Sequence, residues 1–361
     1  FRSVACIRGK SVMSGINQIL AAISSGGKNA VYSGTNTVLV PVNSTFGACC
    51  ALTDSKFIIV YTYTPGATVY AVVATISAGV ITVGTPAAIS ASAGAPNIVF
   101  LTSTSVLVTY ATTVQRAVVL SITGTTITVN TAVTVDPAGT SGQAKIDAFT
   151  STLVGFSHNV ATGGISSAVL SISGVTITVG TLLFVSNTGN VELVALDSTS
   201  LLLQYRDTAA LAYRGVVYTR SGTTLTANTV YTIANYRHKI TKLSATQVVG
   251  MYGVAGVLYA SLITIAGTVV SEGVGTSIDA TAGADIGIWG AQIDSNRVLC
   301  AHGNSPVVRI LGSNGSTVSG GPSSVLPTFT VVGLAVLSVY RGVVIIYDGS
   351  ANNTAALVDI Y

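Results

Sequence analysis

Short apolar runs separated by polar turns recur along this chain at a nearly constant interval. Seven of these runs end in a side chain that combines a ring with a polar group, namely Tyr61, Tyr110, His158, Tyr205, Tyr252, His302 and Tyr347. The intervals between them are 49, 48, 47, 47, 50 and 45 residues. So regular a period predicts a repeat architecture.

A second marker has the same period. Glycines that follow a small or polar residue, mostly with Thr, Val or Ile runs on both sides, stand at Gly79, Gly124, Gly174, Gly222, Gly267 and Gly315. Tight hairpin turns place a residue at positive φ, which glycine adopts without steric cost. We therefore predict that each glycine forms the hairpin between the third and fourth strands of a repeat.

A unit of this length that holds four short strands is typical of a β-propeller blade. The sequence thus predicts an all-β, seven-bladed propeller of four-stranded blades over residues 27–361. The segment from Asn353 to Tyr361 looks like a third strand with no fourth strand after it. Residues 28–42 have the spacing of the missing strand, so we expect them to complete the last blade as its outer strand and to close the ring.

Residues 1–26 form a separate N-terminal arm in this interpretation. Apolar residues at helical spacing predict a short amphipathic helix, and they are Val12, Met13, Ile16, Ile19, Leu20 and Ile23. The helix either packs against the propeller or docks the propeller onto a larger assembly. The chain starts at Phe1 without a signal-peptide pattern, which predicts a processed or partial product.

The composition is unusually apolar, with 8% charged residues and a mean hydropathy of +0.67. No run reaches the roughly 18 apolar residues of a membrane-spanning helix, because Arg341 interrupts the longest candidate. Propeller strands are covered on both faces by neighbouring blades, and this explains the hydropathy. We expect no membrane insertion, and the Ser-, Thr-, Asn- and Gly-rich turns suggest an extracellular or virion-surface protein.

Candidate chemistry is sparse, since the chain has 12 acidic residues and three histidines. Asp54, Asp197 and Asp294 are each followed by Ser before a strand, which favours a turn-forming role over metal binding. Calcium-loop, paired-histidine and nucleophile-elbow motifs do not occur. The repeated boxes of sialidase and WD-repeat propellers are also missing. We therefore predict no metal, no cofactor and no enzymatic activity.

The four cysteines, Cys6, Cys49, Cys50 and Cys300, lack the spacing of a disulfide framework or a metal site. Cys49 and Cys50 are neighbours on a predicted strand and should point to opposite faces, so we expect neither a disulfide nor a metal site between them. We expect buried free thiols.

The seven ring-bearing residues allow two interpretations. Their rings could wedge between blades while the polar atom finds a backbone partner, which is a structural role. Alternatively, they could form a circular platform for sugars on one face. His158 and His302 fall in blades three and six, nearly opposite each other, so they should not share a metal ion.

One stretch of the chain, residues 206–242, is strongly basic. It contains Arg206, Arg214, Arg220, Arg237, Lys239 and Lys242 against the single acid Asp207, whereas the whole chain has a net charge of only +4. This predicts a binding patch for an anionic cell-surface glycan or an acidic partner subunit, or else a solvated edge. Nucleic acid is not expected, because interleaved base-stacking aromatics are missing.

Three motifs carry a resemblance to a known group of proteins. Thr176-Ile-Thr-Val-Gly-Thr181, Ser171-Ile-Ser-Gly174 and Leu101-Thr-Ser-Thr-Ser-Val-Leu-Val-Thr-Tyr110 resemble the propeller repeats of structural proteins of tailed bacteriophages. The resemblance spans about residues 28–361. It implies a non-enzymatic virion component on the tail, a tail fibre or the capsid surface, with other virion proteins as partners in a multi-copy assembly.

Host-surface attachment is a further role that this resemblance suggests. The alternatives are a lectin-like propeller that binds glycans between blades and, third, a propeller hydrolase. The loops after the ring position differ widely from repeat to repeat, which favours one specialised protein-binding face over a sevenfold sugar binder.

Overall fold

The structure is a computed structural model that describes residues 30–40, 44–139, 142–186, 188–233, 239–280, 288–303, 307–326, 330–347 and 353–360. It contains seven antiparallel sheets arranged as the blades of a propeller. The predicted arm, residues 1–26, and its amphipathic helix lie outside the described residues. Within them, the helical content is a single 3-10 turn at Thr64–Gly66.

The strands follow the repeat blade by blade. An outer strand β1 (Ala30–Val40) comes first. Blade 1 then has β2 (Ser44–Thr53), β3 (Lys56–Tyr63), β4 (Thr68–Ser77), β5 (Val80–Val83) and β6 (Ala87–Ser90). Blade 2 has β7 (Gly94–Thr102), β8 (Ser105–Ala111), β9 (Gln115–Thr123), β10 (Thr126–Val129) and β11 (Val133–Asp136). Blade 3 has β12 (Lys145–Thr150), β13 (Leu153–Asn159), β14 (Gly164–Ser173), β15 (Thr176–Val179) and β16 (Leu183–Ser186).

The second half of the ring continues in the same order. Blade 4 has β17 (Thr188–Ala195), β18 (Ser200–Asp207), β19 (Ala212–Ser221) and β20 (Thr224–Thr232). Blade 5 has β21 (Lys239–Ser244), β22 (Gln247–Val254), β23 (Val257–Ala266), β24 (Val269–Glu272) and β25 (Thr276–Asp279). Blade 6 has β26 (Trp289–Gln292), β27 (Arg297–His302), β28 (Val307–Ser313) and β29 (Val318–Val325). Blade 7 has β30 (Thr330–Ser338), β31 (Arg341–Tyr347) and β32 (Asn353–Ile360).

The ring closes as the sequence predicts. Strand β1 pairs antiparallel with β32, with Ala30 opposite Ile360 and Val38 opposite Thr354, so it becomes the outer strand of blade 7. The six hairpin glycines also confirm the prediction, because each lies between the third and fourth strands with φ between 59° and 91°.

The fourth strand is broken in two in blades 1, 2, 3 and 5, a feature that the sequence pattern did not indicate. In blade 3 the break follows Gly180, whose N–H donates to the Val169 carbonyl oxygen of the third strand. A Cβ on Gly180 would lie 2.2 Å from the Thr223 carbonyl oxygen in the hairpin of blade 4. The outer strand of blade 3 therefore turns where the hairpin of blade 4 lies against it.

The core consists of seven apolar clusters among the described residues, one at each interface between adjacent blades. Cys49 packs against the interface of blades 7 and 1, whereas Cys50 packs against that of blades 1 and 2. Cys49, Cys50 and Cys300 are free thiols, as predicted, but only Cys300 is fully buried, whereas Cys49 and Cys50 are half-buried. Burial raises the pKa of the Cys300 thiol to about 12. Cys6 lies outside the described residues.

The first strands of the seven blades contact one another in sequence and surround the central channel. We call the side of the ring on which these first strands begin the upper face. The antiparallel second strands end on the same face, so the seven ring positions belong to it as well.

Candidate functional site

A chain of charged side chains lines the channel at the upper face. Lys145 and Lys239 are the first residues of β12 and β21, and Glu192 lies on β17 between them. Lys145 Nζ is 3.3 Å from Glu192 Oε1, and Lys239 Nζ is 3.2 Å from Glu192 Oε2. One carboxylate thus joins blades 3, 4 and 5 across two interfaces.

Trp289, the only tryptophan in the chain, extends this arrangement to blades 6 and 7. Lys239 Nζ lies 5.1 Å from the centre of its indole ring, within the range of a cation–π contact. The indole Nε1–H donates to the Val331 carbonyl oxygen of blade 7 at 3.2 Å. Each polar group in this part of the channel therefore reaches the neighbouring blade.

Amide side chains continue the pattern through blades 1, 2 and 3. Asn97 Nδ2 donates to the Ala144 carbonyl oxygen at 2.9 Å. Gln143 Nε2 donates to the carbonyl oxygens of Pro96 and Gly47, at 2.6 and 3.3 Å. These residues and the charged chain enclose a cavity of about 140 Å³, and we call this group the channel collar.

The electrostatics of the collar follow from its burial. Glu192 is only 5% exposed, and a buried carboxylate is costly unless it is paired and hydrogen-bonded. The two lysines supply that pairing while remaining partly exposed themselves. With two ammonium groups and one carboxylate, the charged part of the collar has a net charge of +1.

A second cavity of about 400 Å³ lies further along the same wall and shares Lys239 and Ile240 with the collar. Its polar lining includes Asp147, Lys242 and Gln292. The Asp147 carboxylate accepts the backbone N–H groups of Ala148 and Ala195, at 2.9 and 2.8 Å. Burial nevertheless dominates and raises the pKa of this carboxyl group.

The ring positions lie inside the interfaces instead of forming an open platform. Their exposed fractions are 0 to 7% for Tyr61, Tyr110, His158, Tyr205, Tyr252 and His302. The backbone of Tyr347 belongs to β31, but its side chain is outside the described set. Tyr61 stacks on Tyr70 with 5.7 Å between ring centres, and burial raises the pKa of its phenol to about 12.

The two histidines of the ring each meet an aspartate from the outer strand of the preceding blade. His158 Nε2 lies 3.0 Å from Asp136 Oδ2, and His158 Nδ1 lies 3.0 Å from the Asn159 carbonyl oxygen. Asp279 plays the same part at His302, with 3.5 Å between Nε2 and Oδ2. In that blade Arg309 Nη2 also donates to Asp279 Oδ2, at 2.6 Å. Both pairs join adjacent blades.

The structure does not bring together the five described members of the predicted basic set. Arg214 pairs with Asp207 near the upper face, and Arg206 lies opposite Tyr213 on the adjacent strand. Arg220, six residues further along β19, binds the Ser198 and Gly222 carbonyl oxygens near the other face, roughly 20 Å away at strand spacing. Lys239 and Lys242 line the channel. Arg237 lies outside the described residues, as do all six predicted docking residues of the arm.

The sequence interpretation missed Glu192 and Trp289 as partners of Lys239, and it missed Lys145 as the second cation that pairs with Glu192. The signal was present in the repeat itself, because these residues stand 47, 47 and 50 positions apart along the chain. Equivalent positions in successive blades lie next to each other around the channel. Lysine, glutamate and tryptophan residues separated by one repeat are therefore predicted to be in contact.

Two of the three proposed turn aspartates act as predicted. Asp197 Oδ1 accepts hydrogen bonds from the backbone of Thr199 and Ser200, and Asp294 Oδ1 accepts one from Asn296. In the part of the chain that the structure describes, no group of three or more potential ligands could hold a metal ion. Likewise, none of the described helices is long and apolar enough to cross a membrane.

No protein-family model matches the chain, and no curated protein matches it. Solved structures share the fold at low identity. One is a chain in the S. cerevisiae complex of dbp5 bound to nup159, gle1, IP6 and ADP, with 11% identity over 93% of this chain and 96% of that chain, and a TM-score of 0.56.

Two further solved structures share the fold at similarly low identity. The N-terminal domain of Nup159 has 10% identity, the same coverage and a TM-score of 0.56. The Aleuria aurantia lectin AAL, in complex with Fucα1-6GlcNAc, has 13% identity over 80% of this chain and 98% of that chain, with a TM-score of 0.51. At these identities the likeness establishes the propeller fold alone.

Proposed function

We propose that the protein is a non-enzymatic structural propeller of a bacteriophage virion, located on the tail, a tail fibre or the capsid surface. It acts through assembly with other virion proteins in several copies. The phage setting is supported by the strand and turn motifs of the repeat, and the non-enzymatic role by how the acidic residues are used.

The described carboxylates serve the scaffold. All of them except Asp54 contact structural partners within the propeller, namely Asp136, Asp147, Glu192, Asp197, Asp207, Glu272, Asp279, Asp294 and Asp359. Hydrolytic catalysis by carboxylates requires a pair that faces the substrate, one as acid and one as base or nucleophile. This use of the acidic residues favours a binding role.

Mass spectrometry of purified particles tests the virion assignment. We expect the protein in stoichiometric, multiple copies per particle that persist through gradient purification. Its presence in the host lysate combined with its loss from purified particles would contradict the proposal.

The attachment mechanism has its own test, since we propose that residues 1–26 dock the propeller. Replacing Ile16, Ile19 and Leu20 by Ser should abolish incorporation while the isolated propeller keeps its unfolding midpoint. A matched triple Ser variant at exposed rim positions, Val80, Val175 and Val269, should incorporate normally. Normal incorporation of the arm variant would refute docking through this stripe.

Glycan binding is the second candidate function. It is favoured by the lectin AAL, a saccharide-bound protein that shares this fold over 80% of the chain. A glycan array probed with the purified full chain tests it, and we expect binding to a restricted set of host-surface glycans. An array without any signal above that of a heat-denatured sample would rule this function out.

A further inference from the structure

The cavity below the channel collar contains a lysine that the fold does not use. Lys242 lines the cavity of about 400 Å³, and it makes no hydrogen bond or ion pair with any described residue. Its charge acts on the carboxylate of Asp147, each of whose oxygens accepts a backbone N–H group. The other cavity lysine, Lys239, is held by Glu192.

The charges along the channel do not cancel. The described lining residues of the two cavities include Lys145, Lys239 and Lys242 against Glu192 and Asp147. The lining of the two cavities therefore has a net charge of +1, with Glu192 shared by Lys145 and Lys239 and with Asp147 close enough to feel the charge of Lys242. A single carboxylate is the group that would neutralise it.

Gln292, on the neighbouring blade, adds hydrogen-bonding capacity beside this charge. Its Nε2 donates to the carbonyl oxygens of Leu243 and Asp294, at 2.8 and 3.4 Å. Those contacts orient the amide and leave Oε1 without a donor among the described residues. Aliphatic side chains of Val194 and Ile240 form the wall between the polar groups.

We propose that this cavity binds one hydroxylated carboxylate about the size of a single sugar acid. Lys242 pairs with the carboxylate, Gln292 Oε1 accepts a hydroxyl hydrogen bond, and the aliphatic wall covers the ring. The cavity volume is at the lower end of the range for small-molecule sites, roughly 300–1,000 Å³. The inference rests on the glycan-binding role proposed above as the second candidate function, and it assigns one binding site to each propeller.

Isothermal titration calorimetry of the full chain tests the site, with glucuronate as the probe. Glucose has the ring without the carboxylate, acetate has the carboxylate without the ring, and a short all-glutamate peptide represents an acidic protein partner. The variants are Lys242→Met, which keeps the length of the side chain, and Lys56→Met as the matched control. Lys56 lies on β3 of blade 1 and does not line either cavity.

We expect glucuronate to bind with a stoichiometry of one per chain and with an affinity that falls as salt is added. Lys242→Met should weaken binding at least tenfold, whereas Lys56→Met should leave it unchanged. Glucose and acetate should each bind at least tenfold more weakly than glucuronate. The salt series and the glucose comparison use the wild-type chain, so they hold even if Lys242→Met fails to fold.

Several results would overturn the proposal. These are no saturable glucuronate binding, equal affinities of the two lysine variants, a stoichiometry well above one, or tighter binding of the peptide than of glucuronate. Particle incorporation of the same Lys242→Met variant separates this site from the virion role. If the variant loses sugar-acid binding but is incorporated normally, the channel site and the assembly function are independent.

Discussion

Replacing Glu192 by Gln removes the one negative charge of the channel collar and leaves its shape. In the wild-type protein this carboxylate accepts from both Lys145 and Lys239, at 3.3 and 3.2 Å. A glutamine can accept from one of them through Oε1, but its NH₂ group then faces the other ammonium, donor against donor. We therefore expect the contacts across the two interfaces that flank blade 4 to weaken.

The expected loss is about 2–3 kcal/mol. Removing one partner of a buried ion pair costs roughly 3–5 kcal/mol, because a charge is left uncompensated in the interior. The side chains of Lys145 and Lys239 are 16% and 25% exposed, so they can turn toward water and recover part of that cost. For a propeller of this size, such a loss lowers the melting temperature by roughly 3–4 °C.

Urea unfolding followed by tryptophan fluorescence measures this effect directly. The only indole, that of Trp289, lies 5.1 Å from Lys239 Nζ, so its emission should also shift in the folded variant. The matched control is Asp359→Asn, which breaks the more exposed pair with Arg341 and should cost under about 1 kcal/mol. If Glu192→Gln unfolded at the same urea concentration as this control, the collar would have no role in holding blades 3 to 5 together.

Three further perturbations test the scaffold around the site. Gly180→Ala should destabilise the fold by about 1–3 kcal/mol, since the new Cβ would meet the Thr223 carbonyl oxygen at 2.2 Å. The control Gly189→Ala places its Cβ in open space and should be close to neutral in the same urea assay. His158→Ala should lower the free energy of unfolding by about 2–4 kcal/mol, because it empties a fully buried site and leaves Asp136 without its imidazole partner. A urea midpoint equal to that of the variant Tyr340→Ala, which changes an exposed residue, would contradict this. Burial raises the pKa of Asp197, but hydrogen bonds from Thr199 and Ser200 outweigh this effect, so the folded-state pKa is lowered. The ionised carboxylate therefore stabilises the fold above its unfolded pKa of about 4, and this stabilisation is lost as the pH falls through the folded pKa. Asp197→Asn should accordingly flatten the fall in urea midpoint between pH 5 and pH 3.

The ring of blades could be predicted from the sequence because each repeat carries its own local signals. The hairpin turns require positive φ, which the glycines mark at a constant period and so define the blades. The strands between them are apolar at both odd and even positions, and this defines the interfaces on both faces of each blade. The closing strand was predictable for the same reason. The broken fourth strands were not: in blade 3 the break lies at Gly180, beside Thr223 of blade 4, and the pattern within one repeat does not show such an approach between blades.

The candidate site could be predicted only in part, for a related reason. The basic stretch at 206–242 is dense in sequence, but a strand of six residues spans about 20 Å, so Arg214 and Arg220 reach opposite faces. Contacts around the channel instead join residues one repeat apart. Lys239 therefore contacts Glu192 and Trp289, which are one repeat away in the sequence. These residues determine its environment more than the arginines of the same basic stretch do.

The contrast between the ring positions and the channel collar indicates where recognition should occur. Ring positions are filled by Tyr or His in every repeat, and they are buried wherever their side chains are described, as a uniform wedge between blades requires. Collar positions one repeat apart hold Asn97, Lys145, Glu192, Lys239 and Trp289, which supply an amide, two ammonium groups, a carboxylate and an indole. A collar that served only to join blades could repeat one residue type seven times. Among the described collar residues the charges belong to blades 3 to 5 and the indole to blade 6, so this part of the channel is asymmetric, and a ligand bound there would meet it in one orientation.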